Sequence, residues 1–145
     1  MDLLCGKTLV KKSGEEVNAE EALQGVEIIA FYFSAHWCPP CRGFTPMLAE
    51  FYCELKDKEQ PMEIIFVSSD RSVQDMMTYM KEDHGDWLAI PYNDGLAQEL
   101  KQRFNIRGIP SLVVVRRDGS LVTTDGRSEL YKSGSSCYNI WSQKK

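Results

Sequence analysis

Residues 26–33 read Val-Glu-Ile-Ile-Ala-Phe-Tyr-Phe, a near-continuous apolar run that ends at Ser34-Ala35-His36-Trp37-Cys38-Pro39-Pro40-Cys41. A short run of this kind, rich in β-branched and aromatic residues, is the pattern of a strand buried on both faces. From Cys41 to about Lys58 the apolar positions recur instead at helical spacing. The chain therefore predicts a buried strand, a tight turn carrying a Cys-x-x-Cys pair, and a long helix. A thiol at a helix N-terminus is where thiolate chemistry is easiest to run.

The remaining elements alternate around this unit. Leu9-Val10 and Val17, flanking Lys11-Lys12-Ser13-Gly14, predict a short N-terminal hairpin. Asn18 can cap a short helix over 19–24, stopped by Gly25. Residues 62–69 form a second buried-type strand, and Ser72 can cap a helix over 73–84. On that helix Val73, Met76, Met77 and Met80 make one apolar stripe, the spacing of core packing. Residues 86–93 read as an extended connector, followed by a helix from about Asp94 that carries Leu96, Leu100 and Phe104. A strand over 112–115, a turn at Asp118-Gly119 and a returning strand over 121–123 make a hairpin. A helix follows Gly126, with limits the pattern does not define. Strands alternating with helices, then a hairpin and a helix, predict an α/β protein whose mixed sheet has helices on both faces.

At 145 residues the chain is expected to form one domain. A domain of that size buries roughly 70% of the surface its unfolded chain would expose, so it needs no disulfide staples. A net charge of −4 with both signs interspersed argues against a nucleic-acid partner, which would need a basic stripe. No stretch is long and apolar enough to span a membrane, and Met1-Asp2-Leu3-Leu4 lacks the basic start of a signal peptide. The expected location is the cytoplasm, with the nucleus left open, and the expected state is a monomer. Five cysteines is an odd number, and those outside the pair are scattered at 5, 53 and 137. That usage fits a reducing compartment with one working pair. Cys5, Cys53 and Cys137 read as bystanders, with Cys53 among the core positions of the long helix.

Side chains three apart on a helix lie about 5–6 Å from one another, and a disulfide needs Cα atoms within about 4.4–6.8 Å. The pair can therefore open and close with little backbone movement. Cys38, preceding the helix, is the expected exposed nucleophile, and Cys41, one turn in, the more buried resolving thiol. Attack by Cys38 on a substrate disulfide gives a mixed disulfide, which Cys41 resolves. The chemistry needs protein or small-molecule disulfide substrates and a thiol reductant, and no cofactor beyond the Cys38–Cys41 disulfide. Pro39 and Pro40 stiffen the loop and offer no N–H, so Cys41 has the first amide available. Trp37 offers a flat apolar face that either holds a polypeptide substrate or packs beneath the loop. His36 is either a solvated loop residue or a proton shuttle, and Arg42 adds surface charge. Ile109-Pro110, just ahead of the strand at 112, is ordinary on spacing alone.

The segment from Phe33 to Pro46, with Trp87-Leu88-Ala89-Ile90-Pro91-Tyr92, Gly108-Ile109-Pro110 and the Asp118-Gly119 turn, resembles the tryparedoxin and nucleoredoxin branch of the thioredoxin superfamily. The likeness runs from about Leu9 to Arg127, and the small single domain is most like the nucleoredoxin-like proteins. It implies a thioredoxin fold with an N-terminal hairpin extension and a cis peptide before Pro110. It also implies that Pro110 packs against the CPPC turn, that the Ile109 backbone pairs with a substrate strand, and that Pro46 kinks the long helix. Thioredoxins carry a buried aspartate where this chain has Tyr32, so acid–base help must come from water, Cys41, Tyr32 or a neighbouring carboxylate.

The resulting expectation is a thiol–disulfide oxidoreductase of the protein-disulfide reductase type. The alternative is a redox-sensing interaction module with little turnover. A metal site built on His36, Cys38 and Cys41 would lack the fourth ligand a structural zinc needs. A peroxidase is disfavoured because Ala35, not a hydroxyl residue, lies three before Cys38. If the exchange reading holds, Cys41→Ser should accumulate partners disulfide-linked through Cys38, identified by mass spectrometry of non-reduced cell extracts. Recovering none would count against turnover on protein disulfides.

Overall fold

Strand β3 (Ile28–Ser34) is buried at every position, as its continuous apolar sequence demands. Because strand side chains alternate between faces, it feeds two cores at once. Ile28, Ala30 and Tyr32 pack with Phe44, Leu48, Met80 and Trp141 on one face, while Ile29, Phe31 and Phe33 meet Leu23, Leu96 and Leu100 on the other. The computed structural model describes Leu4, residues 6–92 and residues 95–143.

The other elements are β1 (Thr8–Val10), β2 (Glu16–Asn18), α1 (Ala19–Ala22), α2 (Pro39–Asp57), β4 (Met62–Ser68), α3 (Val73–Asp83) and β5 (Leu88–Ala89). After them come α4 (Gly95–Arg103), β6 (Ser111–Arg116), β7 (Leu121–Thr123), α5 (Gly126–Ser133) and α6 (Cys137–Gln143), with a 3-10 turn at Gly134–Ser136. The described strands form one mixed sheet in the order β2-β1-β5-β4-β3-β6-β7. Strand β3 runs parallel to β4 and antiparallel to β6, and β4 runs parallel to β5. Side chains of α2, α3, α5 and α6 cover one face, and those of α1 and α4 the other. This is the expected thioredoxin fold with its N-terminal hairpin.

Local signals held where capping chemistry defines an element. Asn18 accepts from the Glu21 amide at the start of α1, and Ser72 from the Asp75 amide at the start of α3. Other boundaries shift for physical reasons. Helix α2 begins at Pro39 rather than Cys41, because proline's fixed φ suits the first helical turn. The connector over 86–93 contains strand β5, since Leu88 and Ala89 pair with Ile65 and Phe66 at the sheet edge. Asp94, named above as a helix start, lies outside the described residues.

Two packing expectations are corrected. Val73 is 52% exposed, and Tyr79 takes the core position beside Met76 and Met80. Val73 is the first residue of α3, and Met76, Tyr79 and Met80 carry the buried stripe in the turns that follow. Cys53 is exposed, because neighbouring Phe51, Tyr52 and Leu55 already fill the inward face of α2. Pro46 lies within helix α2, on its exposed side.

Gly126 lies so close to β6 that a Cβ added there would stand 2.9 Å from the Leu112 carbonyl oxygen and 3.0 Å from its side chain. A backbone atom cannot give way as a flexible side chain can. Gly126→Ala is expected to destabilise the fold by about 1–3 kcal/mol, read as a lower denaturant midpoint with an unchanged slope.

Candidate active site

Three strand ends meet in one row. Phe33 pairs with Ser111 of β6, Ser34 pairs with Ser68 of β4, and the Ser69 amide donates to the Ser34 carbonyl at 2.9 Å. The segment leaving β3, the segment entering β6 and the segment leaving β4 are therefore neighbours. The first carries Ala35 to Cys41, the second Ile109-Pro110, and the third Ser69-Asp70.

Cys38 is the N-cap residue of α2, in extended conformation, and Pro39 and Pro40 occupy the first two helical positions. Its amide donates to the Ala35 carbonyl at 3.3 Å, and its carbonyl accepts from the Arg42 amide at 3.1 Å. Both cysteines of the pair are thiols. The Ile109–Pro110 peptide is cis, and the Ile109 carbonyl accepts a long contact, 3.9 Å, from Cys38 Sγ.

The expectation of an exposed nucleophile needs correcting: Cys38 is only 5% exposed, against 0% for Cys41. Ile109 packs over the cluster that Ala35, Cys38 and Cys41 form, and covers the outer thiol. The thiols differ more in surroundings than in exposure. Burial, and then a hydrogen bond with Cys38, push the Cys41 thiol up to about 11. The Ser34 hydroxyl and the Ala35 amide oppose that rise.

Trp37 is 48% exposed, so it does not pack beneath the loop. Its indole N–H donates to the Ser69 carbonyl at 3.0 Å, and the Arg71 guanidinium lies 5.3 Å from its ring centroid. His36 is half-buried and stacks on Tyr79, with Nε2 3.8 Å from Glu82 Oε2. Arg42, Pro39 and Pro40 are exposed.

Four residues escaped the sequence reading. Asp70 Oδ1 accepts from the His36 amide at 2.7 Å and Oδ2 from the Ser68 hydroxyl at 2.7 Å, tying the active-site turn to the end of β4. This buried carboxylate lies 32 residues after Cys38 in a polar loop, and nothing in the local pattern marks it. Ser34, Thr45 and Tyr79 surround the hydroxyl of Tyr32 on the inner side of Cys41. Thr45 could have been found, since it lies four residues after Cys41 on the same helical face.

Comparison with known proteins agrees with this geometry. A family model described as "Thioredoxin-like" matches residues 25–121. The chain belongs to the thioredoxin-like family. Within it, the chain is 41% identical over 123 residues to nucleoredoxin from Mus musculus, which covers 84% of this chain but 27% of that protein. The chain thus spans about a quarter of the nucleoredoxins' length. A solved structure of thioredoxin-related protein 16 from Carcinoscorpius rotundicauda superposes with a TM-score of 0.86 at 55% identity, covering 99% of this chain and 100% of that one. Tryparedoxin I from Crithidia fasciculata gives a TM-score of 0.81 at 36% identity, over 92% of this chain and 91% of its own. The tryparedoxin and nucleoredoxin branch named from the motif is the right one.

In a thioredoxin-like site the difference between the two thiols should be measurable. Cys41 is expected to resist iodoacetamide until the pH approaches about 11, and Cys137, pushed up to about 11 by burial and Glu129, to do the same. Exposed Cys53 should be labelled readily at pH 8. Peptide mapping of the alkylated protein against pH reads all three.

Proposed function

We propose that this chain is a thiol–disulfide oxidoreductase of the protein-disulfide reductase type, with Cys38 as nucleophile and Cys41 as resolving thiol. The observation that carries the reading is the face formed by Trp37, Cys38 and the cis Ile109–Pro110 step. The Ile109 carbonyl that now accepts from Cys38 is a backbone group at a strand start, able to pair with an extended substrate segment. When such a segment takes that carbonyl, Cys38 is released to face the substrate disulfide.

The Cys38 thiolate attacks one substrate sulfur, a mixed disulfide forms, and the other substrate sulfur leaves and takes up a proton. Cys41 then attacks Cys38, closing the Cys38–Cys41 disulfide and releasing the reduced substrate. A thiol reductant reopens the pair. Pro39 and Pro40 hold the turn stiff, so little conformational freedom is lost on closure. Trp37, anchored at its N–H, presents its ring beside the nucleophile. The chain works as a monomer in the cytoplasm or nucleus, with no cofactor besides its own disulfide and no nucleic-acid or membrane partner. Among the described residues no helix is long and apolar enough to cross a membrane.

One observation favours a second reading, a redox-sensing module that binds a partner without turnover. The Carcinoscorpius relative is described as having a role in regulating transcription factor NF-kB activity. Dithiothreitol-driven reduction of insulin separates the two readings. The native chain should speed insulin precipitation well above the uncatalysed rate, and Cys38→Ser should abolish the gain. An inactive native chain with a titratable dithiol would favour the module.

A further inference from the structure

Strand β4 ends at a cavity of about 200 Å³, walled by Ser68, Ser69 and Asp70, by Tyr92, and by Gln98 and Lys101 of α4. Ligands of open α/β sheets sit in such crevices, outside the carboxyl ends of the parallel strands. This one shares a wall with the active-site turn. The Ser69 carbonyl accepts the Trp37 indole N–H at 3.0 Å, and Asp70 Oδ1 accepts the His36 amide at 2.7 Å. Ser69 thus touches both the cavity and the tryptophan beside the nucleophile.

The lining offers donors. Lys101 Nζ gives one N–H to the Ser68 carbonyl at a long 3.4 Å, and an ammonium has three to give. The Ser69 hydroxyl, the Tyr92 phenol and the Gln98 amide add others. Among the described residues no carboxylate comes within ion-pair distance of Lys101. Asp70 lines the same cavity, but its oxygens are engaged by the His36 amide and by the Ser68 hydroxyl, the latter at 2.7 Å.

Lys101 is half-buried, and burial holds its ammonium below the ordinary lysine range. A cation withdrawn from water without a counter-charge carries a desolvation cost, which an arriving anion would offset. Only one charge is called for. A dianionic phosphate would be repelled by Asp70 as strongly as it was drawn to Lys101, whereas a singly charged carboxylate can face the ammonium alone.

We propose that this cavity is a substrate subsite, in which Lys101 binds a carboxylate that the disulfide substrate carries close to its reacting sulfur. This rests on the exchange activity proposed above and names its substrate class, disulfides with an acidic group beside the cystine. Lys101 takes no part in the sulfur chemistry. It selects and holds the substrate while Cys38 attacks.

The test follows single-turnover reduction of cyclic peptide disulfides by the reduced full chain, with Cys5 and Cys53 changed to serine. One peptide set carries Glu or Gln at each position flanking the cystine. A second set has neutral side chains and either a free or an amidated C-terminus, which separates a side-chain carboxylate from a terminal one. In at least one pair the native chain should reduce the acidic peptide about tenfold faster than its neutral twin, the worth of a charge-assisted hydrogen bond. Lys101→Met should abolish that preference by slowing the acidic peptide, and should leave the neutral twin within about twofold. A native chain that prefers no acidic peptide would overturn the subsite, and its reduction of the neutral peptides would leave the exchange reading standing. A preference that survives Lys101→Met, or equal slowing of both twins, would overturn the subsite as well. A native chain that reduces no peptide at all would overturn the exchange reading and the subsite together.

Discussion

Everything at the site depends on β3 being hydrogen-bonded on both edges and buried on both faces. Its parallel pairing with β4 and antiparallel pairing with β6 bring the end of one strand, the end of a second and the start of a third to the same level. A slip of one residue would turn Tyr32 and Ser34 to the opposite core and carry the CPPC turn away from Ile109. That register is enforced by apolar burial, with Phe31 and Phe33 on one side and Ala30 and Tyr32 on the other. The chemistry of two sulfurs is thus positioned by side chains that never touch them.

The two prolines at the start of α2 and the loop at Ile109 act on different thiols. Proline at the first two helical positions leaves Cys38 at a helix start with few amides to offer its sulfur. The cis loop supplies a carbonyl in their place, an acceptor that holds the thiol and covers it. Cys41 faces the opposite environment, the inside of the core, where burial raises its thiol and the Ser34 hydroxyl and Ala35 amide oppose the rise. The two sulfurs differ in what surrounds them, and the difference in exposure between them is small.

Much of this was legible in the chain itself, because periodicity and capping are local. The long apolar run identified β3, Asn18 and Ser72 marked helix starts, and the pair announced itself by spacing. What stayed hidden depends on non-local contacts. Ser34 reads as the polar end of a strand, and Tyr79 as one more residue on a helix, until the sheet and α3 bring their hydroxyls to 2.6 Å. Asp70 belongs to a loop whose meaning comes only from the His36 amide opposite it. Burial of Cys38 was misjudged for the same reason, since the covering group comes from Ile109, 71 residues away in sequence.

The hydroxyl ring beneath Cys41 contains no group that is charged at rest. A buried carboxylate would impose a standing desolvation cost on the folded protein at every moment. Four hydroxyls that satisfy one another impose far less, and their dipoles can reorient. Among these four hydroxyls there is no standing charge. In the proposed exchange, a charge would stand on the dry side of the pair only for the lifetime of the Cys41 thiolate, and none once the disulfide closed.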